Sequence, residues 1–135
     1  YGVFQLGVSN LVDDEFQGAF QLAAVANVTR GGFYGVGQIA LLANHADDCW
    51  CAFQISGLLN HSGDDFTGGA QIGLVNLADH MGGAQIGVAN IADRVEGVQI
   101  GLVNNARSLK GVQIGLVNIS IEKDIPLLPV FRLGL

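Results

Sequence analysis

Apolar and polar residues alternate along most of this chain, and the alternation returns as a phrase. Gly-Ala-Gln-Ile-Gly-Leu-Val-Asn at 69–76 recurs as Gly-Ala-Gln-Ile-Gly-Val-Ala-Asn at 83–90 and as Gly-Val-Gln-Ile-Gly-Leu-Val-Asn at 97–104 and 111–118, a period of 14 residues. Upstream the phrase is looser: Phe4-Gln5-Leu6 to Asn10, Phe20-Gln21-Leu22 to Asn27, Gln38-Ile39 to Asn44 and Phe53-Gln54-Ile55 to Asn60, with glutamines 16 or 17 residues apart. A last variant, Phe131–Leu135, carries Arg132 where the others carry Gln and completes nine units. Alternation with period two describes a half-buried strand rather than a helix. Run straight through a strand, it sends Ala70, Ile72 and Leu74 inward and Gln71 outward. Tandem units of this length read as a solenoid, in which each unit buries its apolar side only against its neighbours. The pattern therefore predicts an all-β, single-domain β-solenoid of about eight to nine coils of 14–17 residues. Long coils span 1–67, 14-residue coils span 68–120, and a terminal strand or cap spans 121–135.

The aromatic residues test that prediction, because stacked coils should place matching volumes at matching positions. Phe16, Phe33, Trp50 and Phe66 follow the early glutamines by 11 or 12 residues, and Met81, Val95 and Leu109 hold the corresponding places in the short coils. Phe4, Phe20 and Phe53 stand immediately before a Gln, followed down the same column by Ala70, Ala84, Val98, Val112 and Phe131. A wide, aromatic N-terminal half and a narrower, aliphatic C-terminal half follow, since a larger cross-section needs larger side chains to reach normal packing density. Gly83, Gly97 and Gly111, each two residues before a Gln, supply turns that tolerate positive φ.

Composition narrows the class. Half of the 135 residues are apolar, 13% are charged, and 20 glycines accompany only 2 prolines. That excludes intrinsic disorder and collagen. Six basic against twelve acidic residues, a net charge of −6, argue against nucleic acid as a partner. No uncharged stretch is apolar enough for a transmembrane helix. The chain opens at Tyr1 without a basic, then apolar, leader, so any export signal is expected to have been removed or to lie outside it.

Candidate chemistry falls in columns. Asn10, Asn27, Asn44, Asn60, Asn76, Asn90, Asn104 and Asn118 occupy one corner of successive coils and are expected to form a structural ladder of side-chain amides. Gln71, Gly73, Gln85, Gly87, Gln99, Gly101, Gln113 and Gly115 form a flat, uncharged stripe, expected to face outward as an assembly surface. Acidic residues gather three to five positions after Asn10, Asn44, Asn60, Asn76 and Asn90, and a hard cation such as calcium is a candidate counter-charge, although no calcium-loop spacing is present. Asp47, Asp48, Asp64, Asp65, His45 and His61 are the cation candidates on adjacent coils. His in that column is the more ordinary filler of a half-buried position. Cys49 and Cys51 flank Trp50, with both thiols on one side of the strand and the indole on the other. A bond between them is expected to be strained, which favours free thiols or contacts with another chain. No nucleophile with a base in a cleft and no phosphate-binding loop appears, so no enzymatic activity and no organic cofactor are expected.

The phrase Gly-Val-Gln-Ile-Gly-Leu-Val-Asn, its tandem copies and the closing Pro126-Leu-Leu-Pro129 before an apolar strand resemble the bacterial surface-repeat proteins first catalogued in spirochaetes. The resemblance covers 69–135 closely and 1–68 loosely. It implies an extracellular or cell-surface location, no established enzymatic activity, and no catalytic residue to carry over. Together with edge strands, of which Phe131–Leu135 reads as an ordinary one blunted only by Pro126 and Pro129, these features predict a non-catalytic structural repeat. Such a protein would self-assemble through its edges or its Gln/Gly face into a homo-oligomer, filament or surface layer. Two other readings stand beside it: a monomeric surface module binding a glycan, host protein or cation, and an outer-membrane-associated β-protein.

Overall fold

A computed structural model describes residues 2–122 and 127–134, and every regular element in them is a strand. Their order is β1 (Phe4–Val12), β2 (Phe16–Gln17), β3 (Phe20–Ala40), β4 (Ala43–Ser56), β5 (Leu59–Ile72), β6 (Val75–Ile86), β7 (Ala89–Ile100), β8 (Val103–Ser120) and β9 (Leu127–Gly134). From β1 to β8 each long strand pairs in parallel with the next, β2 also pairing with β3, so the chain winds as a β-solenoid. It makes about seven turns, slightly fewer than the repeat count suggests. At ~4.8 Å per coil the rod is roughly 34 Å long. The strands break at one corner, Leu41-Leu42, Gly57-Leu58, Gly73-Leu74, Gly87-Val88 and Gly101-Leu102.

Registers follow the repeat. Gln54 pairs with Gln71, Gln85 with Gln99 and Asn90 with Asn104, so equivalent residues stand directly above one another. The change to 14-residue coils is absorbed in two irregularities of β5 against β6, between Ser62 and Asp65 and between Thr67 and Ala70. The core therefore tapers without interruption. Its apolar column is Phe16, Phe33, Cys49, Phe66, Met81, Val95 and Leu109, all buried, with Ala46, Ala78, Ala92 and Ala106 beside it.

Trp50 is not in that column. It is 55% exposed and pairs with Tyr34 and Thr67, while Cys49 stands between Phe33 and Phe66. A three-residue stretch of strand can send inward either the indole or the two sulfurs. Here the sulfurs go in: Cys49 and Cys51 form a disulfide, their Cα atoms 5.4 Å apart, contrary to the expectation of free thiols.

Two glycines carry the tightest corner. Gly83 and Gly111 have φ of 145° and 150°, and a Cβ on Gly97 between them would strike the Gly83 carbonyl. A side chain there is excluded both by conformation and by the spacing of the coils.

β9 does not continue the parallel winding. It runs antiparallel along β8, Gly111 opposite Gly134 and Ile119 opposite Leu127, with Gln113 in register with Arg132. β9 covers the Gly111–Ile119 part of the β8 edge and is itself the outermost strand at this end of the sheet. Pro126 lies outside the described residues.

Candidate interaction surface

The glutamines point inward. Gln21, Gln38, Gln54, Gln71, Gln85, Gln99 and Gln113 are completely buried, whereas Ile72, Ile86, Ile100 and Ile114 are 38–41% exposed. This reverses the expected faces of Gln and Ile, and the corner explains the reversal. In the 14-residue coils Gln and Asn of one phrase are five residues apart, so straight alternation places them on opposite faces and the turn at Gly-Leu or Gly-Val shifts the phase by one to bring both inside; in the phrases that start at Gln21, Gln38 and Gln54 they are six apart and share a face without that shift. The glycines of the supposed outer stripe also turn inward, since a Cβ on Gly87 would lie 2.8 Å from Asn76 Nδ2.

What fills the interior is a pair of amide ladders. Each Gln Nε2 donates to the Oε1 of the preceding coil, from Gln21 to Gln5 at 2.7 Å through to Gln113 to Gln99 at 2.7 Å. Each Asn Nδ2 donates to the Oδ1 of the following coil, from Asn10 to Asn27 at 2.8 Å through to Asn104 to Asn118 at 2.8 Å. The second Nδ2 hydrogen goes to a corner carbonyl, Ile86 O for Asn76 and Ile100 O for Asn90, both at 2.9 Å. A carbonyl can only accept, so this bond fixes which end of each amide is nitrogen. The two ladders consequently run in opposite senses, and their dipoles oppose one another along the rod. Buried amides this fully paired cost little, which is why the interior tolerates them. Thr29 and Ser62 join the Gln ladder, their hydroxyls donating to Gln21 Oε1 at 3.1 Å and Gln54 Oε1 at 3.3 Å.

With polar groups inside, apolar ones are left outside. The stretch from Gln to Asn contains no charged residue in any of its eight copies. Its outward side chains make a continuous apolar stripe along the rod, including Leu41 (69% exposed), Leu74 (48%), Leu102 (51%) and Leu116 (65%). Near the C-terminal end the stripe dips into a groove of about 480 Å3 between the Ile86–Ile100–Ile114 row and the Leu102–Leu116 row, with Val130 of β9 at its rim. Monomers rarely expose a contiguous apolar patch of more than a few hundred Å2, whereas these exposed aliphatic side chains recur along the length of the rod. Alternation was legible in the sequence; its phase across the corner was not.

Between residues 2 and 122 every charge lies on the remaining part of each coil, after the Asn. Arg30 pairs with Asp13, Lys110 Nζ lies 3.6 Å from Glu96 Oε1, and His80 Nδ1 lies 3.1 Å from Asp65 Oδ1. These pairs are exposed, and such pairs are worth at most about 1 kcal/mol. The cation candidates form separate small contacts. His45 Nδ1 and His61 Nδ1 are 3.1 Å apart, His45 Nε2 is 3.3 Å from Asp47 Oδ1, and the Asp65 backbone N–H donates to Asp48 Oδ1 at 3.3 Å. Asp64 is exposed. Among the described residues no group of three or more His, Cys, Asp or Glu side chains is arranged to hold a metal ion, and no helix is long and apolar enough to cross a membrane.

Burial lowers the His61 pKa below its usual 6.5, and the neighbouring His45 lowers it further, against opposing contributions from Asp79 and Asp47. A histidine whose pKa is lower when folded binds fewer protons than when unfolded, so its contribution to stability is present above about pH 6.5 and is lost as the pH falls below that. Thermal unfolding at about pH 7.5 and 5.5 should show a larger fall in Tm for the native chain than for His61→Leu, which has the side chain of Leu77 in the next coil. Equal falls would remove His61 as the source. No protein-family model, curated protein or solved structure matches the chain.

Proposed function

We propose that this chain is a non-catalytic structural repeat of the bacterial cell exterior that associates with copies of itself through the apolar Ile/Leu stripe. The observation that carries the reading is the full-length apolar face opposite a charged one. A standard protein interface buries about 800 Å2 per partner, and the stripe's exposed aliphatic side chains recur in coil after coil along the rod. A second copy has the same uncharged face, so the acidic residues of both stay in solvent. The basic flank that draws an amphipathic surface onto anionic lipid is missing, because acids outnumber bases two to one. The Cys49–Cys51 disulfide suits an oxidising compartment outside the cytoplasm.

Light scattering from about 1 to 100 μM, without detergent, tests the association, a range that brackets a micromolar interface. The native chain should have at least twice the monomer mass. The double substitution Leu102→Glu with Leu116→Glu, which places two carboxylates on the stripe, should be a monomer with an unchanged circular dichroism spectrum. A native chain that stays monomeric throughout overturns the proposal. One that is monomeric yet sediments with phosphatidylcholine vesicles overturns it in favour of a lipid surface.

A further inference from the structure

His45 and His61 are neighbours in a column that is otherwise mostly aliphatic. Val28 pairs with His45, His45 with His61, His61 with Leu77 and Leu77 with Ile91, so the two half-buried imidazoles stand one coil apart between Val28 and Leu77. Their Nδ1 atoms are 3.1 Å apart and their ring centroids 4.9 Å apart. A transition metal sits about 2.0–2.1 Å from an imidazole nitrogen, so one ion touching both Nδ1 atoms would subtend about 98° between them and hold the centroids about 4.8 Å apart. A head-on hydrogen bond of the same length would hold the centroids about 5.4 Å apart. The spacing of the two rings is thus that of a chelate rather than of a linear contact.

We infer that His45 and His61 chelate one divalent transition-metal ion through their Nδ1 atoms, copper(II) more tightly than nickel(II) or zinc(II), with water in the remaining positions. Two nitrogens at an angle between a right angle and the tetrahedral one, completed by water oxygens, suit tetragonal copper(II), and the order of the metals is the general one for nitrogen and oxygen sites. Calcium needs several converging oxygens. The carboxylates here are engaged separately, Asp47 Oδ1 lying 3.3 Å from His45 Nε2 and Asp48 Oδ1 accepting from the Asp65 backbone N–H. Asp47 serves the imidazole instead: a carboxylate beside Nε2 holds the ring proton there and leaves the Nδ1 lone pair of His45 free for a metal. In the metal-free chain His61 then donates its Nδ1–H to His45 Nδ1, and binding moves that proton to His61 Nε2. Asp47 and Asp79 are near enough to His61 to act on its charge, and they offset the charge of the ion in the same way. Burial lowers the His61 pKa below 6.5, so at about pH 7.5 the metal does not have to displace a proton from an imidazolium there. Both ligands belong to one chain, so the site is independent of self-association.

Copper(II) chloride titrated into the chain at about pH 7.5, with the disulfide intact, tests the site by calorimetry and by electron paramagnetic resonance. The sequence has three histidines, and His80 serves as the control. The native chain and His80→Ala should each bind one copper(II) with equal affinity and show two imidazole nitrogens on the metal. His45→Leu and His61→Leu, the second taking the side chain of Leu77 in the next coil, should keep the native circular dichroism spectrum. Each should bind copper(II) at least about tenfold more weakly, because a single imidazole forfeits the chelate, and show at most one imidazole nitrogen. Nickel(II) and zinc(II) should bind the native chain less tightly, and equimolar calcium should leave the copper in place. Copper held as tightly by both leucine variants as by the native chain overturns the assignment. So does copper displaced by equimolar calcium, or a native chain that binds none up to about 100 μM.

Discussion

Replacing Phe66 with alanine is expected to cost about 3–5 kcal/mol of unfolding free energy, a large part of the 5–15 kcal/mol typical of a domain. Phe66 is completely buried and stands in the apolar column between Cys49 and Met81, in a coil too wide for its neighbours to close over the gap. Coils are rungs of one ladder, held by backbone pairing above and below, so the cavity cannot be relieved by moving one coil independently. Phe66→Met should cost under about 1.5 kcal/mol, since the next coil already carries Met at that place. Phe4→Ala, at a side chain 63% exposed, should cost under about 1 kcal/mol. Urea unfolding of the three variants ranks them. If Phe66→Ala is no more costly than Phe4→Ala, the column is not what holds the long coils.

The architecture was legible because it is a matter of period. Recurrence of Gln and Asn once every 14–17 residues predicts stacked strands whatever faces inward, and the Asn ladder follows because eight amides placed once per coil superpose. Face assignment is a matter of phase, and phase was lost at two places. At the Gly-Leu corner the chain drops one step of alternation, which turned an expected outer Gln face into an inner ladder and exposed Ile72, Ile86, Ile100 and Ile114. At Cys49-Trp50-Cys51 volume favoured the indole, but two sulfurs on one side of the strand closed a disulfide and pushed Trp50 out. Both errors came from ranking residues by hydrophobicity. A paired amide is as acceptable inside as a leucine, because its cost comes only from hydrogen bonds left unmade. The candidate surface was misread for the same reason: an interior filled with amides displaces aliphatic side chains to the outside.

Shortening Asn90 to alanine should be about as damaging as emptying the aromatic column, with a loss on the order of 3–5 kcal/mol from groups that contribute almost no apolar area. Asn90 accepts from Asn76 Nδ2 at 2.9 Å and donates to Asn104 Oδ1 at 2.8 Å and to Ile100 O at 2.9 Å. Alanine leaves one buried donor and two buried acceptors each short of a partner, and water has no path to them, Asn76, Asn90 and Asn104 being completely buried. The substitution Asn90→Asp separates pairing from volume. An ionised carboxylate fills the site and still accepts from Asn76, but it cannot donate, and it meets Asn104 Oδ1 and Ile100 O as like dipoles. Its neutral acid can donate. Folding therefore raises the pKa of this aspartate above its usual value of about 3.9, and its neutral form supplies stability that is present below that value and lost as the pH climbs through the raised one. Relative to the native chain, Asn90→Asp should gain stability on acidification from about pH 7 to 4, opposite in sign to the His61 effect, whereas Asn90→Ala should show no such recovery. Denaturant titrations at both pH values decide it: an Asn90→Asp penalty that does not shrink in acid means that the ladder's polarity contributes nothing to the fold.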